Sequence, residues 1–496
     1  VQINLDKIRN GLIESMPVID QAGSSLEQPV PYTYVPPSHA KALDPDSSLI
    51  EGIRGSGKSF WWSALLSSAH RQFVAEAFPD THLPQSVKIE RGFGDNSGKL
   101  DTPSKDVISS LSSEFSPRTI WRSVVAEKAQ FGGSYGQIAN QSNVSWRKRA
   151  EWVHENPEDF DVFLGKLDDE LVKKDQHLVI VFDALDRLAD DWQSIRPLAK
   201  ALLQVGLEMR STRRVRFKMF VRPDMLEDRA IVGFPDASKL LARKTSLNWR
   251  RIDLYALLFQ CLGNSPTGGA HFRKFVKDNF GFSYVSTGGN WLVPPELRAD
   301  EDQQERVFIS IAGKAMSSSP TGQKRGKPYS WLVNHLQDGR DQVSPRSFAA
   351  AVRHAAERTR DEYNNHRLPI HFSAIQAGVQ AASQVRVDEL VKEDYPWVDT
   401  VMRPLKGGVT IPCPAKDIIK HWKQAKVLNE LEKEMKSSGV SVKLPPQHLD
   451  DGHEGVMEDL QDLGVMQRLS DGRVQMPDVY RIAFGLGRRG GVKPLK

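Results

Sequence analysis

The segment Gly52-Ile53-Arg54-Gly55-Ser56-Gly57-Lys58-Ser59 restricts what this chain can fold into more than any other stretch. It satisfies the pattern G-x-x-x-x-G-K-[ST] in full. The glycines permit positive φ, so successive backbone N–H groups can curl into a nest for an anion. The apolar Leu49-Ile50 precede the loop as a strand, and Phe60 to Ala69 follow it as a helix whose N-terminus faces the anion. Gly52, Gly55, Ser56, Gly57, Lys58, Ser59 and Phe60 are therefore the candidate nucleotide-binding residues. Lys58 is expected to reach the β- and γ-phosphates and Ser59 to ligate Mg²⁺.

A strand with burial on both faces is expected beside such a loop. Leu178-Val179-Ile180-Val181-Phe182 is an unbroken apolar run ending at Asp183, with Asp186 three positions on. Asp183 is the candidate second Mg²⁺ ligand, and Asp186 the candidate that orients or deprotonates the attacking water. Asp169, Glu170 and Asp190 compete with Asp186 for that role on sequence grounds alone. A third strand, Phe217 to Val221, ends at Arg222-Pro223-Asp224. Arg222 is placed there to sense the γ-phosphate, and a plain Arg222–Asp224 surface pair is the competing reading. Two further arginines are weaker candidates: Arg346, at the start of a helix in Ser344-Pro345-Arg346-Ser347-Phe348, and Arg243, which together with Lys239 could act on a neighbouring subunit. No Asn-Lys-x-Asp guanine reader accompanies the second motif, so ATP is the expected nucleotide and Mg²⁺ its metal.

Length and composition set the frame around these motifs. At 496 residues the chain is too long for one ordinary core. Its 39% hydrophobic and 26% charged residues describe a globular protein. Lys and Arg number 67 against 62 Asp and Glu, which excludes a uniformly basic coat but not a local basic patch. Cys261 and Cys413, the two cysteines, are far apart in sequence, which argues against a disulfide scaffold and for a reducing compartment. The start Val1-Gln2-Ile3-Asn4-Leu5-Asp6 lacks the basic and apolar parts of a secretory leader. No run approaches the length of about 18 apolar residues that spans a bilayer. A cytoplasmic protein without a membrane segment is expected.

Strands are expected near 48–51, 86–91, 177–182 and 215–221, and helices over 58–78, 118–130, 146–155, 158–173 and 192–211. Residues 130–145 form a polar, Gly-rich insertion without an assignment. Helical text follows, interrupted by Gly263 to Gly269 and Gly313 to Pro328, with a strong helix over 345–361. Near the end, a helix over 457–463, a strand over 465–469, a turn at Ser470-Asp471-Gly472-Arg473 and a strand over 474–476 have the look of a winged helix.

These residues resemble the additional-strand P-loop ATPases that include the AAA+, STAND and KAP groups. The likeness rests on Gly52–Ser59, on Phe182-Asp183-Ala184-Leu185-Asp186 and on Val221-Arg222-Pro223-Asp224, with Ser344–Phe348 similar to a lid arginine. It implies an α/β parallel-sheet P-loop core followed by a helical lid and a C-terminal winged-helix (α+β) domain. The corresponding limits are 1–46 for an N-terminal arm, 47–248 for the core, 249–365 for the lid and 366–496 for the winged-helix region. Arg222 stands where a small polar residue is usual, and the second motif lacks an Asp-Glu pair; this second departure implies a slow switch rather than a motor. The resemblance further implies a homo-oligomer acting in prokaryotic defence or signalling on a separate effector protein. The alternative is a loader or remodeller of double-stranded DNA, with Arg468, Arg473, Arg488, Arg489 and Lys493 on the phosphate backbone. His453 is expected at the surface, and no spacing suggests a metal site other than that of the nucleotide's Mg²⁺.

Overall fold

The computed structural model describes residues 4–16, 28–84, 86–94, 101–140, 144–318, 325–437, 445–489 and 492–494. Two compact units emerge. One is Val35–Leu247, and the other takes Asn248–Lys496 together with Gln28–Tyr34 and the N-terminal helix Leu5–Ser15.

The Val35–Leu247 unit is built on five parallel strands: β1 (Leu49–Glu51), β2 (Lys88–Phe93), β3 (Leu178–Phe182), β4 (Val215–Val221) and β5 (Thr245–Ser246). Their order across the sheet is β2-β3-β4-β1-β5, so β4 lies between the strand that feeds the phosphate loop and the strand that ends at Asp183. That is the interposed strand implied by the resemblance. Every residue of β3 is buried, as a central strand covered on both faces must be. Helices Pro117–Lys128 and Trp192–Glu208 pack together, with the Trp121 indole donating to the Leu198 carbonyl at 2.8 Å and its ring edge-on to Phe182. Burying side chains of this size contributes about 2 kcal/mol each before the entropy cost.

β1 to β4 and most helices follow the sequence reading, while β5 was not expected. The helix expected over 58–78 is two helices, Lys58–Leu66 and Ser68–Ala77, because Ser67 adopts extended backbone (φ −84°, ψ 120°) between them. The unassigned insertion contains the helix Gly133–Ala139, anchored by Tyr135, whose hydroxyl donates to Glu127 at 2.9 Å. Residues 141–143 of that insertion lie outside the described residues.

The second unit is mostly helical. Helix Leu5–Ser15 packs on Pro345–Glu362, and Arg353 donates to the Met16 carbonyl at 2.7 Å. A short hairpin joins β6 (Val285–Thr287) and β7 (Asn290–Leu292). Toward the C-terminus come β8 (Thr410–Ile411), β9 (Cys413–Pro414), β10 (Gln467–Arg468), β11 (Arg473–Gln475) and β12 (Gly487–Arg488). β10, β11 and β9 form an antiparallel sheet in that order. Helices Ala415–Gln424, Val427–Ser437 and Gly452–Asp462 lie between β9 and β10 in sequence. Strand, helices, then a two-stranded wing that returns beside the first strand is winged-helix topology. The wing turn closes with the Gly472 N–H donating to the Leu469 carbonyl at 2.9 Å, and Gly472 has φ +81°. The helix starts five residues earlier than the expected Met457, because the tight turn Leu449–Asp451 leads straight into Gly452. β9 was not legible, since two residues carry no alternation to read. Among the described residues no helix is long and apolar enough to cross a membrane.

Candidate nucleotide site

The phosphate loop leaves β1 at Glu51, and its first N–H, from Gly52, donates to Val221 on β4 at 3.1 Å. Gly55 (φ +75°) and Gly57 (φ +103°) are left-handed, and Gly57 caps the helix that begins at Lys58. Open space surrounds Gly57, so backbone conformation and not crowding demands glycine there. At Gly52 the reason is close approach: a Cβ would sit 2.3 Å from the Ser56 hydroxyl oxygen.

Lys58 folds back over this loop. Its ammonium donates to the Gly52 carbonyl at 2.8 Å and to the Ile53 carbonyl at 3.0 Å. Burial pushes its pKa down to about 8, and the facing Asp183 opposes that shift. Asp183 ends β3 and is 2% exposed. Its carboxyl is held above the usual range by burial, against the hydrogen bond from Ser59 and the charge of Lys58. Oδ2 of Asp183 is buried with no hydrogen-bond partner among the described residues. A buried carboxylate oxygen without a partner, next to a serine hydroxyl, is the oxygen donor set that Mg²⁺ takes. Ser59 and Asp183 therefore fit the metal expected from sequence.

Behind Asp183 the chain makes a turn with a non-glycine residue in the left-handed region, Ala184 at φ +55°. This conformation costs about 1 kcal/mol in an alanine, and sequence reading gave no sign of it. It throws the chain into the short turn Leu185–Arg187 and returns Asp186 to the cluster. Ala184→Gly is expected to raise the stability of this unit by up to about 1 kcal/mol, read as an upward shift in its urea midpoint. An unchanged or lower midpoint would mean the turn is not strained.

Arg222, just past β4, is 8% exposed and bound on two sides. Its Nη1 meets Asp186 at 3.2 Å, while Nε and Nη2 engage both oxygens of Asp224 at 3.0 and 3.1 Å. The Arg222–Asp224 pair considered from sequence is thus real but not superficial, and Asp186 is its third member. The competing acids are engaged elsewhere: Asp169 with Arg213, Glu170 with Lys174 at 3.7 Å, and Asp190 with Lys105. Phe60 is half-buried, edge-on to Trp61 and His70. Lys239 pairs with Asp236 at 2.8 Å, and Arg243 is exposed. Arg346 belongs to the other unit, where it pairs with Glu389 at 2.9 Å.

Sequence reasoning missed Lys218. It lies on β4, 1% exposed, and its ammonium donates to the carbonyls of Ala42, Asp44 and Ser47 at 2.7, 2.8 and 2.7 Å. The signal was present: one lysine inside the apolar run Phe217 to Val221 must find buried acceptors.

In the C-terminal region, the arginines expected to meet DNA are mostly engaged within the chain. Arg468 pairs with Glu454 at 3.0 Å, Arg473 with Asp471 at 2.7 Å and Arg488 with Asp478 at 3.1 Å. Arg489 and Lys493 are exposed. His453 is half-buried and stacks on Trp422. The fold also gathers His448, Asp459 and Asp462, a grouping that no spacing announced because a turn separates its members. Asp459 is already committed there, accepting from the N–H groups of Gln447 and His448 and from His448 Nδ1.

No protein-family model matches the chain, and no curated protein is significantly similar to it. Among solved structures it is similar to the Aeropyrum pernix ORC1 protein in complex with DNA, at 13% identity and a TM-score of 0.34, covering 91% of this chain and 92% of that one. It is also similar to the Aeropyrum pernix ORC2 protein in its ADPNP-ADP complexes, at 13% identity and a TM-score of 0.30, covering 90% and 93%. Cdc6p from Pyrobaculum aerophilum gives 11% identity and a TM-score of 0.29, covering 92% and 93%. Likenesses this distant carry no functional weight, and the site must speak for itself.

Proposed function

We propose that this chain binds ATP with Mg²⁺ and hydrolyses it slowly, using the phosphate bond as a conformational switch. The observation that carries this reading is the buried, partnerless Oδ2 of Asp183 beside Ser59, at the mouth of a complete phosphate loop. Bound Mg²⁺ would supply charge neutralisation between the β- and γ-phosphates. The chain's own residues do the rest. Lys58 exchanges the carbonyls of Gly52 and Ile53 for phosphate oxygens. Arg222 turns from Asp186 toward the γ-phosphate, and Asp186, so released, orients water and takes its proton as the water oxygen bonds to the γ-phosphorus and the bond from that phosphorus to the bridging oxygen breaks, leaving ADP and phosphate. Because the base is tied to Arg222 until the phosphate draws it away, turnover is slow and coupled to movement of the Arg222 segment.

Removing the carboxylate tests this. Asp183→Asn is expected to keep ATP affinity within a few-fold and to lower Mg²⁺-dependent turnover at least a hundredfold. Turnover equal to that of the unaltered chain would end the reading.

A second reading, an ATPase acting on double-stranded DNA, is favoured by the winged-helix topology of β9, β10 and β11. A pure switch would instead pass its state to a partner protein. ATP turnover with and without duplex DNA, at low and high salt, separates the two. Salt-sensitive stimulation supports the second reading, and indifference to DNA supports the first.

A further inference from the structure

In a winged helix the helix before the wing is the one expected to enter the major groove. Here that helix, Gly452–Asp462, carries Glu454, Glu458, Asp459 and Asp462 and neither lysine nor arginine. It would repel phosphate. The wing offers little help, since Arg468 and Arg473 are paired with Glu454 and Asp471.

The helix Ala415–Gln424 has the opposite character. Its apolar side is consumed inside the fold, with Ile418 and Trp422 fully buried and the Trp422 indole donating to the Val401 carbonyl at 2.7 Å. Lys416, Lys420 and Lys423 follow one another at helical spacing on the outside, and Lys426 continues the line just past the C-cap. All four are exposed, and among the described residues none is in an ion pair. The line runs for about 15 Å. Asp417 is the helix's one acid.

We infer that this lysine helix, and not the helix before the wing or the wing itself, is the surface that contacts the phosphate backbone of a nucleic-acid duplex. This inference rests on the duplex-directed reading given above. Three features of the stripe select that occupant. A protein partner would want an apolar or aromatic anchor at the centre of the patch and few lysines, and no exposed large apolar side chain lies on this helix among the described residues. The same lack leaves nothing to insert into a membrane surface. A single strand would want aromatic faces for its bases, and Trp422 is buried. A duplex backbone asks only for spaced positive charge, so binding is expected to be strongly salt-dependent and indifferent to sequence.

The test uses the full chain and a short random-sequence DNA duplex, titrated at several salt concentrations. Changing Lys416, Lys420, Lys423 and Lys426 together to Gln keeps helix propensity and is expected to leave the melting temperature unchanged. It is expected to weaken binding at least tenfold and to flatten the slope of log affinity against log salt by about 3. The paired change Arg468→Gln with Arg473→Gln is expected to shift affinity less than about threefold. If the four-lysine variant binds with unchanged affinity and slope while the arginine variant loses binding, the lysine helix is excluded and the duplex reading survives. If the unaltered chain does not bind the duplex, or binds anionic vesicles more tightly, both fall.

Discussion

Lys58→Ala is expected to reduce ATP turnover at least a hundredfold and to weaken nucleotide binding about tenfold or more. The ammonium is the positive group that the loop itself presents to the phosphates. It rests on the carbonyls of Gly52 and Ile53, within hydrogen-bond distance of both. Losing a charge-assisted contact to a phosphate costs about 2–3 kcal/mol, and a contact that strengthens as charge develops costs turnover more than binding. The measurement is Mg²⁺-dependent phosphate release together with nucleotide titration on the same preparation. Turnover within threefold of the unaltered chain would remove the phosphate loop from the chemistry.

The second large effect concerns folding. Lys218→Met keeps most of the volume of the side chain and removes its charge. Three carbonyls, on Ala42, Asp44 and Ser47, would lose their donor at once, those of Ala42 and Ser47 fully buried. An expected cost of about 3 kcal/mol or more follows from leaving buried acceptors unsatisfied. It should appear as an earlier urea transition for the Val35–Leu247 unit, while that of the other unit stays in place. A shift below about 1 kcal/mol would show that water or backbone movement replaces the lysine easily. The residues that Lys218 holds lead directly into β1, so ATP affinity is expected to fall as well.

Much of the candidate nucleotide site was legible because its geometry is local. Gly52 to Ser59 is a contiguous segment whose glycines, lysine and serine have fixed roles, and β3 announces itself as an apolar run ended by an acid. Sequence left Asp186 open against Asp169, Glu170 and Asp190, and its contact with Arg222 depends on the turn at Ala184 and on an arginine arriving from another strand. Lys218 was passed over for a similar reason: its partners lie more than 170 positions earlier. At the C-terminus, the turn Ser470–Arg473 and its flanking strands could be read, whereas β9 could not. The partners of the wing arginines could not be read: Arg468 and Arg473 stay exposed and face Glu454 and Asp471 in the fold.

The Arg222 clamp has a consequence for what the chain can sense. Around the loop, Lys58, Arg222 and the loop's own Arg54 stand against the ionised forms of Asp183, Asp186 and Asp224, so the charges balance. A site so balanced is no trap for bare polyanions, and ATP without its metal would gain little from its field. Only the magnesium complex brings its own compensation. The occupancy of the site would then follow the supply of the metal complex and not total ATP. Anything in the cell that competes for magnesium would act on this chain as an antagonist without ever touching it.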